Sequence, residues 1–405
     1  MHRYFPNHYE NDTVFYIFTN KDAPNNKGVA VSINDPASSE WKEIISESDS
    51  YTRFLARTAQ YTLLEEQKNF IIDMAIVNNS TGERKTLLFD EPAHNVQFVY
   101  LDTVENRVRL KYSSYLTPDI FYDYYIENDS LNIVFETKIA NYNKDDYEVQ
   151  ILYVPSHDGL AIPVVMLSNK NVVQKGIPAP VETRVYGAYG LTDAPFFSTD
   201  RLLMLDRGFY YMNIQLRGEG GLNSAWHLGG AGMNKKNAGM DFISVLDFLI
   251  FEQYTAAGKI YASGPSAGGK PLGFAVNMRP ELFGGAKFLV STLDFLTKLN
   301  DGMEWIEFGN PNIEEEFNYM IDYSPYHNVK RQDYPSLLFM GGYKDTNVPC
   351  FTTFKMVAKI KEYRTNNNTI LMNINMDAGH QSYFIGRKKM FHPFIFSLAG
   401  NAGLL

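Results

Sequence analysis

The sequence predicts two dissimilar parts in one chain: a stretch of β-propeller blades, then an α/β domain built on a parallel sheet. Three observations predict it. Residues 1–144 hold only short β-branched and aromatic runs separated by Asn, Asp, Gly and Pro, with no sustained 3.6-residue period. Those runs recur, since Val14–Phe18, Tyr61–Leu64 and Val108–Tyr112 begin 47 positions apart (61 − 14 and 108 − 61). From residue 145 onward, strand-like runs alternate with helical patterns, the pattern of a parallel sheet covered by helices.

Taken in order, each N-terminal unit closes in a further strand-like run, Trp41–Ile45, Arg84–Phe89 and Ser130–Phe135. A period of about 40–50 residues with several strands per unit is what propeller blades require. Three unrelated hairpins in a small sandwich remain the competing reading, because the repeat lies in pattern rather than residue identity. The polar segment Ala140–Asp146 is the expected boundary, giving a partial propeller over residues 1–144 and an α/β domain over 145–405. The second part opens with a hairpin, Tyr147–Pro155 and Leu160–Leu167, around the tight-turn signal Asp158-Gly159. Strand-like runs follow at Thr183–Tyr186, Phe209–Leu216, Lys259–Ala262, Ala286–Val290, Ser336–Met340 and Thr369–Met376. Helical patterns intervene at Ala238–Phe251, where Met240, Ile243, Leu246 and Leu249 share an apolar face, and at Phe351–Tyr363.

Composition narrows the function. Against 46 acidic residues stand 37 Lys and Arg, a formal charge of −9 that argues against a nucleic-acid or anionic-membrane partner. The N-terminus has no apolar signal core, and no apolar run reaches the ~18 residues a bilayer needs, so a cytoplasmic location is expected. Cys350 is the only cysteine, which excludes an internal disulfide and a Cys-rich zinc site, fits a reducing compartment, and reads most simply as a buried thiol. His227 and His327 lie in polar loop sequence without metal-ligand spacing, so neither metal nor cofactor is expected.

The strongest chemical signal is Gly264-Pro265-Ser266-Ala267-Gly268, a G-x-S-x-G directly after an apolar strand and before a helical stretch. That context suits a nucleophile elbow, a sharp turn that lifts a serine hydroxyl above the sheet. A serine is a weak nucleophile at neutral pH and needs a histidine base and an orienting carboxylate, here in the chain order Ser, Asp, His. Asp345 follows the Leu337–Gly342 run and His380 follows Ile370–Met376, both just beyond strand ends. Alternatives stay open residue by residue. Asp345 also reads as an N-cap for the Phe351 helix, and Asp377 is a rival carboxylate near His380.

From Tyr147 onward the chain resembles the prolyl oligopeptidase family of serine peptidases, most of all its oligopeptidase B branch. The resemblance rests on Ser156-His157-Asp158-Gly159, Tyr186-Gly187-Ala188-Tyr189-Gly190, Leu216-Arg217-Gly218-Glu219-Gly220, Asn234-Lys235-Lys236-Asn237 through Asp241-Phe242, Asn277–Phe283, Glu304-Trp305 with Gly309-Asn310-Pro311, and Tyr323-Ser324-Pro325-Tyr326. It implies an α/β-hydrolase domain capped by a propeller that admits only short peptides. It also implies Ser266 as nucleophile, His380 as general base and Asp345 as its orienting acid, with Tyr189 and the Ala267 N–H as the oxyanion hole. Glu304, with Glu307 as a second candidate, is the implied substrate-binding carboxylate for Arg or Lys.

The pattern departs from the family in places. Asn347 stands two positions after the acid where Arg or Gln is common, and Gln381 and Ser382 follow His380 where Gly is frequent. Three units also fall short of seven blades. The expectation is thus a serine oligopeptidase, with self-association through open propeller edges. The rivals are a degenerate relative with esterase-only or no activity that acts as a binding protein, and a lipase or carboxylesterase of the same hydrolase fold.

Overall fold

The computed structural model describes residues 4–10, 13–297, 302–381 and 388–401, so Ser382 lies outside the described residues. The chain divides into two compact units. The first comprises Met1–Asp145 with Thr192–Ser198 and Gly220–Ala225; the second comprises Asp146–Leu191, Thr199–Glu219 and Trp226–Leu405. Two short segments from beyond the expected boundary thus join the first unit, which nothing in their local composition announces.

The first unit holds three four-strand antiparallel meanders, the second and third joined into one eight-stranded sheet by a parallel strand pair. They are β1 (Tyr4–Glu10), β2 (Val14–Thr19), β3 (Lys27–Ser32) and β4 (Lys42–Ile45); β5 (Tyr51–Arg57), β6 (Tyr61–Lys68), β7 (Ile71–Asn78) and β8 (Arg84–Leu87); and β9 (His94–Asp102), β10 (Arg107–Ser114), β11 (Ile120–Tyr125) and β12 (Ser130–Glu136). The runs that recur every 47 residues are the second strand of each meander, β2, β6 and β10. Successive strand residues face opposite sides of a sheet. Leu63 accordingly packs with Met74, Ile76, Val108 and Leu110, while its neighbour Leu64 packs with Ala75, Val77, Phe18 and Ile45. The middle meander is therefore covered on both faces, and β7 is buried without interruption from Ile72 to Val77. Each such aliphatic side chain contributes about 1.5–3 kcal/mol by leaving water. Asp73 on β7 also meets His94 on β9, Oδ1 to Nε2 at 2.7 Å, while His94 Nδ1 lies 2.7 Å from the Glu91 carbonyl. Burial alone would lower the His94 pKa, but these two acceptors outweigh it and raise it.

The second unit is an eight-stranded sheet of order β13-β14-β16-β15-β17-β18-β19-β20. The hairpin β13 (Tyr147–Pro155) and β14 (Ala161–Asn169) is antiparallel and joins β16 (Tyr210–Ile214) antiparallel as well. From there β15 (Val181–Arg184), β17 (Ile260–Pro265), β18 (Phe283–Leu289), β19 (Ser336–Gly342) and β20 (Ile370–Asn375) run parallel. The helices are α1 (Thr199–Leu205), α2 (Ser224–Leu228), α3 (Lys236–Phe251), α4 (Gly269–Met278), α5 (Gly302–Phe308), α6 (Glu314–Tyr323), α7 (Phe351–Tyr363) and α8 (Lys388–Asn401). Central strands β17 and β19 are buried at every residue, as strands covered on both faces must be. On α3 the buried stripe is Ala238, Phe242, Val245, Leu246 and Leu249, with Met240 and Ile250 only half-buried at its margin. Gly239 lets α4 come close, since a Cβ there would lie 2.4 Å from the Phe274 ring. Cys350, read as a buried thiol, is only half-buried.

Several family-like segments meet around one buried cation. The Arg217 guanidinium donates to both Asp241 oxygens, at 2.9 and 2.5 Å, and to Asp158 at 2.6 Å. Ser156 donates to the same Asp241 at 2.5 Å. The hairpin turn, the loop after β16 and the body of α3 are thereby tied together.

Candidate active site

The parallel strands place their C-terminal ends side by side, and three loops leave from them. Ser266 follows β17 directly and takes a left-handed backbone, φ +50°. The glycines around it are demanded by close approach. A Cβ on Gly264 would lie 2.4 Å from the Gly268 carbonyl oxygen, and one on Gly268 would lie 2.1 Å from that of Val185. The turn is thus held against the end of the sheet and leads straight into α4.

The loops after β19 and β20 are stitched together by backbone bonds, Tyr343 N–H to Asn375 at 2.9 Å and Lys344 N–H to Ala378 at 3.0 Å. Gly342 permits this, because a Cβ there would strike the Ala378 carbonyl at 2.5 Å. The stitching brings Asp345 Oδ2 to 2.7 Å from His380 Nδ1. The other Asp345 oxygen accepts the N–H groups of Asn347 and Val348, at 2.9 and 2.8 Å, and its side chain is fully buried. A carboxylate at Nδ1 puts the proton on that nitrogen and leaves Nε2 as an acceptor. Nε2 lies 3.1 Å from Ser266 Oγ. The N-cap alternative for Asp345 fails, since α7 has no side-chain cap. Asp377 is 92% exposed and pairs with Lys344 instead.

These groups open onto a cleft of about 660 Å³ whose lining includes Tyr186, Tyr189, Ser266, Phe295, Glu304 and His380. The two tyrosines of the Tyr186–Gly190 segment do different things from those expected. Tyr189, expected at the oxyanion, directs its hydroxyl to Glu304, at 3.0 Å from Oε1 and 3.2 Å from Oε2. Burial, reinforced by the Glu304 charge, raises the Tyr189 pKa well above that of an ordinary phenol. Tyr186 is the one beside the nucleophile: it lines the cleft together with Ser266, whose hydroxyl offsets part of the rise in phenol pKa that burial causes. Ala267 opens the turn after Ser266, in the first-turn position where a backbone N–H has no intrahelical acceptor.

Glu304 lines the cleft, but Glu307, the second substrate candidate, does not. Glu307 is 2% exposed and bound to Lys235 Nζ at 2.5 Å and His227 Nε2 at 2.8 Å. The two carboxylates stand three residues apart on α5, yet only Glu304 reaches the cleft. Burial pushes the Glu307 carboxyl up, yet Lys235 and His227 outweigh this and hold it below its usual value. Sequence reasoning missed Tyr186, although two tyrosines three apart were a signal that either could serve. It also missed Glu219 and Lys235, which flank the Gly187 peptide. Among the described residues no group of three or more His, Cys, Asp or Glu is placed to hold a metal ion, and no helix is long and apolar enough to cross a membrane.

Comparison with known proteins decides the family. The model of the prolyl oligopeptidase family matches residues 195–394, and that of the prolyl oligopeptidase N-terminal β-propeller domain matches residues 2–137. The chain belongs to the prolyl oligopeptidase family. Its three meanders are thus part of a β-propeller and its second unit is an α/β-hydrolase domain. Among the family's curated members, Protease 2 of Moraxella lacunata is 30% identical over 381 residues, covering 92% of this chain and 54% of that relative. Dipeptidyl aminopeptidase BI of Pseudoxanthomonas mexicana is 28% identical, covering 90% of this chain and 52% of that relative. Among solved structures, oligopeptidase B from Leishmania major superposes with a TM-score of 0.91 at 26% identity, covering 98% of this chain and 58% of that one. Oligopeptidase B from Trypanosoma brucei with covalently bound antipain gives 0.90 at 28% identity, covering 98% and 59%. The chain spans about half the length of the curated relatives it matches.

Proposed function

We propose that this chain is a serine peptidase hydrolysing short peptides through an acyl-enzyme. Ser266 attacks the scissile carbonyl as its proton passes to His380 Nε2, and Asp345 stabilises the imidazolium so formed. His380 then gives that proton to the leaving amine, and water, deprotonated by the same base, releases the acyl group. The observation that carries this reading is the unbroken hydrogen-bond chain from Asp345 through His380 to Ser266 at the mouth of a cleft. The Tyr186 hydroxyl and the Ala267 N–H are the oxyanion donors in this reading, each worth roughly 3 kcal/mol of barrier. Glu304 favours Arg or Lys before the cut, through a charge-assisted pair of about 1.5–3 kcal/mol. Residues 1–144 are the propeller part and 145–405 the peptidase domain. Self-association through the edge strand β12, whose Ile133 and Phe135 are exposed, belongs to the same reading, as does a cytoplasmic location.

A fluorophosphonate probe tests the assignment, because only a base-activated hydroxyl reacts quickly with it. Rapid labelling of the parent chain is expected, with none in Ser266→Ala and very slow labelling in His380→Ala. Labelling that survives in Ser266→Ala removes the nucleophile, and a folded parent that never labels favours a binding protein.

A further inference from the structure

Resting on that reading, we propose that Glu219 and Lys235 are positioning residues that grip the Gly187 peptide from its two sides and so hold the Tyr186 hydroxyl at Ser266. The geometry is specific. Glu219 Oε1 accepts the Gly187 N–H at 2.9 Å, and the Tyr186 N–H lies within its reach as well. Lys235 Nζ donates to the Gly187 carbonyl at 2.8 Å. All three residues are buried, with Glu219 5% and Lys235 3% exposed. Gly187 itself sits at φ +66°, where a Cβ would lie 3.0 Å from that of Ala238, so the peptide has no room to shift toward α3. On the other side, Gly218 leaves room that a Cβ would fill, 2.3 Å from the Gly187 carbonyl oxygen. With the two peptide units that flank Gly187 each held by one bond and the residue packed on both sides, the backbone there cannot rotate, and the preceding tyrosine inherits that fixed origin.

The clamp extends one step further. Lys235 is anchored by Glu307, and Glu307 by His227, so the carboxylate expected in the substrate pocket serves the wall behind it. The charged and titratable groups facing the clamp are Arg184 from β15, Lys235, Glu307 and Glu304 from α5, His227 from α2 and Lys270 from α4. Burial pushes Glu219 up to about 8, so near neutral pH it accepts the Gly187 N–H as a neutral acid.

The test is a cycle on kcat with a short peptide substrate. Glu219→Ala should lower kcat on the order of tenfold or more with little change in KM, short of the roughly 10²–10³ that losing an oxyanion donor costs. Glu219→Gln, which keeps the acceptor, should recover most of that loss. In a Tyr186→Phe background, Glu219→Ala should add almost nothing, because the group it positions is already gone. An active parent that Glu219→Ala matches, a Gln variant as slow as Ala, or losses that multiply fully with Tyr186→Phe would each overturn the inference alone. An inert parent chain would overturn the peptidase reading and this inference with it.

Discussion

Two tyrosines three residues apart divide the labour of one segment. Tyr186 reaches Ser266, while Tyr189 spends its hydroxyl on Glu304 and packs its ring edge-on to Phe308, with centroids 5.4 Å apart. The split follows from the backbone, because Gly187 and Tyr189 both lie at positive φ and the chain turns between the two rings. In the proposed reading, Tyr189 acts on specificity through Glu304. Glu304→Gln should cut the preference for Arg over Phe substrates by about 10- to 100-fold, the worth of a charge-assisted contact. Tyr189→Phe should lower the same ratio by less, since the carboxylate keeps its charge and loses only a tether. Parallel kcat/KM measurements on both substrates check this. A parent that turns over Arg and Phe substrates equally would remove the role of Glu304. Ser266, Asp345 and His380 were legible because each sits at a strand end and chain order constrains them. Tyr186 and Tyr189 were not separable by residue type, because only the turn's dihedral angles decide which ring faces the serine.

At the scale of elements, the Arg217 cluster explains why so many family-like segments sit far from the cleft in sequence. The hairpin turn at Asp158, the loop carrying Arg217 and α3 with Asp241 share one buried ion pair, and Asp241 is fully buried. Removing Asp241 leaves the buried Arg217 charge with only the partly exposed Asp158 carboxylate. Asp241→Ala should therefore destabilise the α/β domain by about 3–5 kcal/mol, whereas replacing Arg217 and Asp241 together with apolar residues should cost far less. Urea unfolding followed by tryptophan fluorescence reads the difference, and equal losses would show that the pair is not the anchor. The strands themselves were readable from apolar runs, as was α7, whose sequence-based limits coincide with the observed ones. The insertion of β16 between β14 and β15 was not readable, because strand order is settled by packing between segments and leaves no mark in either. The same holds for Lys235, which reaches Gly187 across 48 positions and Glu307 across 72.

For the molecule as a whole, buried acids tilt stability against alkaline conditions. Glu182 and Glu219 are pushed up by burial, to about 7 and about 8. The folded state therefore holds protons that the unfolded chain has already released. Each group's contribution is fully present below its unfolded pKa and is lost as pH rises through the folded value. The slope is at most about 1.4 kcal/mol per pH unit for each carboxyl. Melting temperature should thus fall between about pH 5 and pH 8, and Glu182→Gln or Glu219→Gln should each flatten that fall. A flat profile in the parent chain would mean that both acids are ionised throughout. Lys287, pushed down by burial to about 8, acts with the opposite sign only above that range.

The stacking of the three blades sets an order of opening. β6 and β7 lie in a sheet covered on both faces, whereas six of the seven residues of β12 are exposed. Local opening reports the least covered strands first. In deuterium exchange, the amides of β6 and β7 should be the last in the first unit to take up label, and those of β12 the first. Proteases that cut transiently released chain should nick the region after Tyr125 long before they reach Leu63, so digestion would trim this unit from its third blade inward.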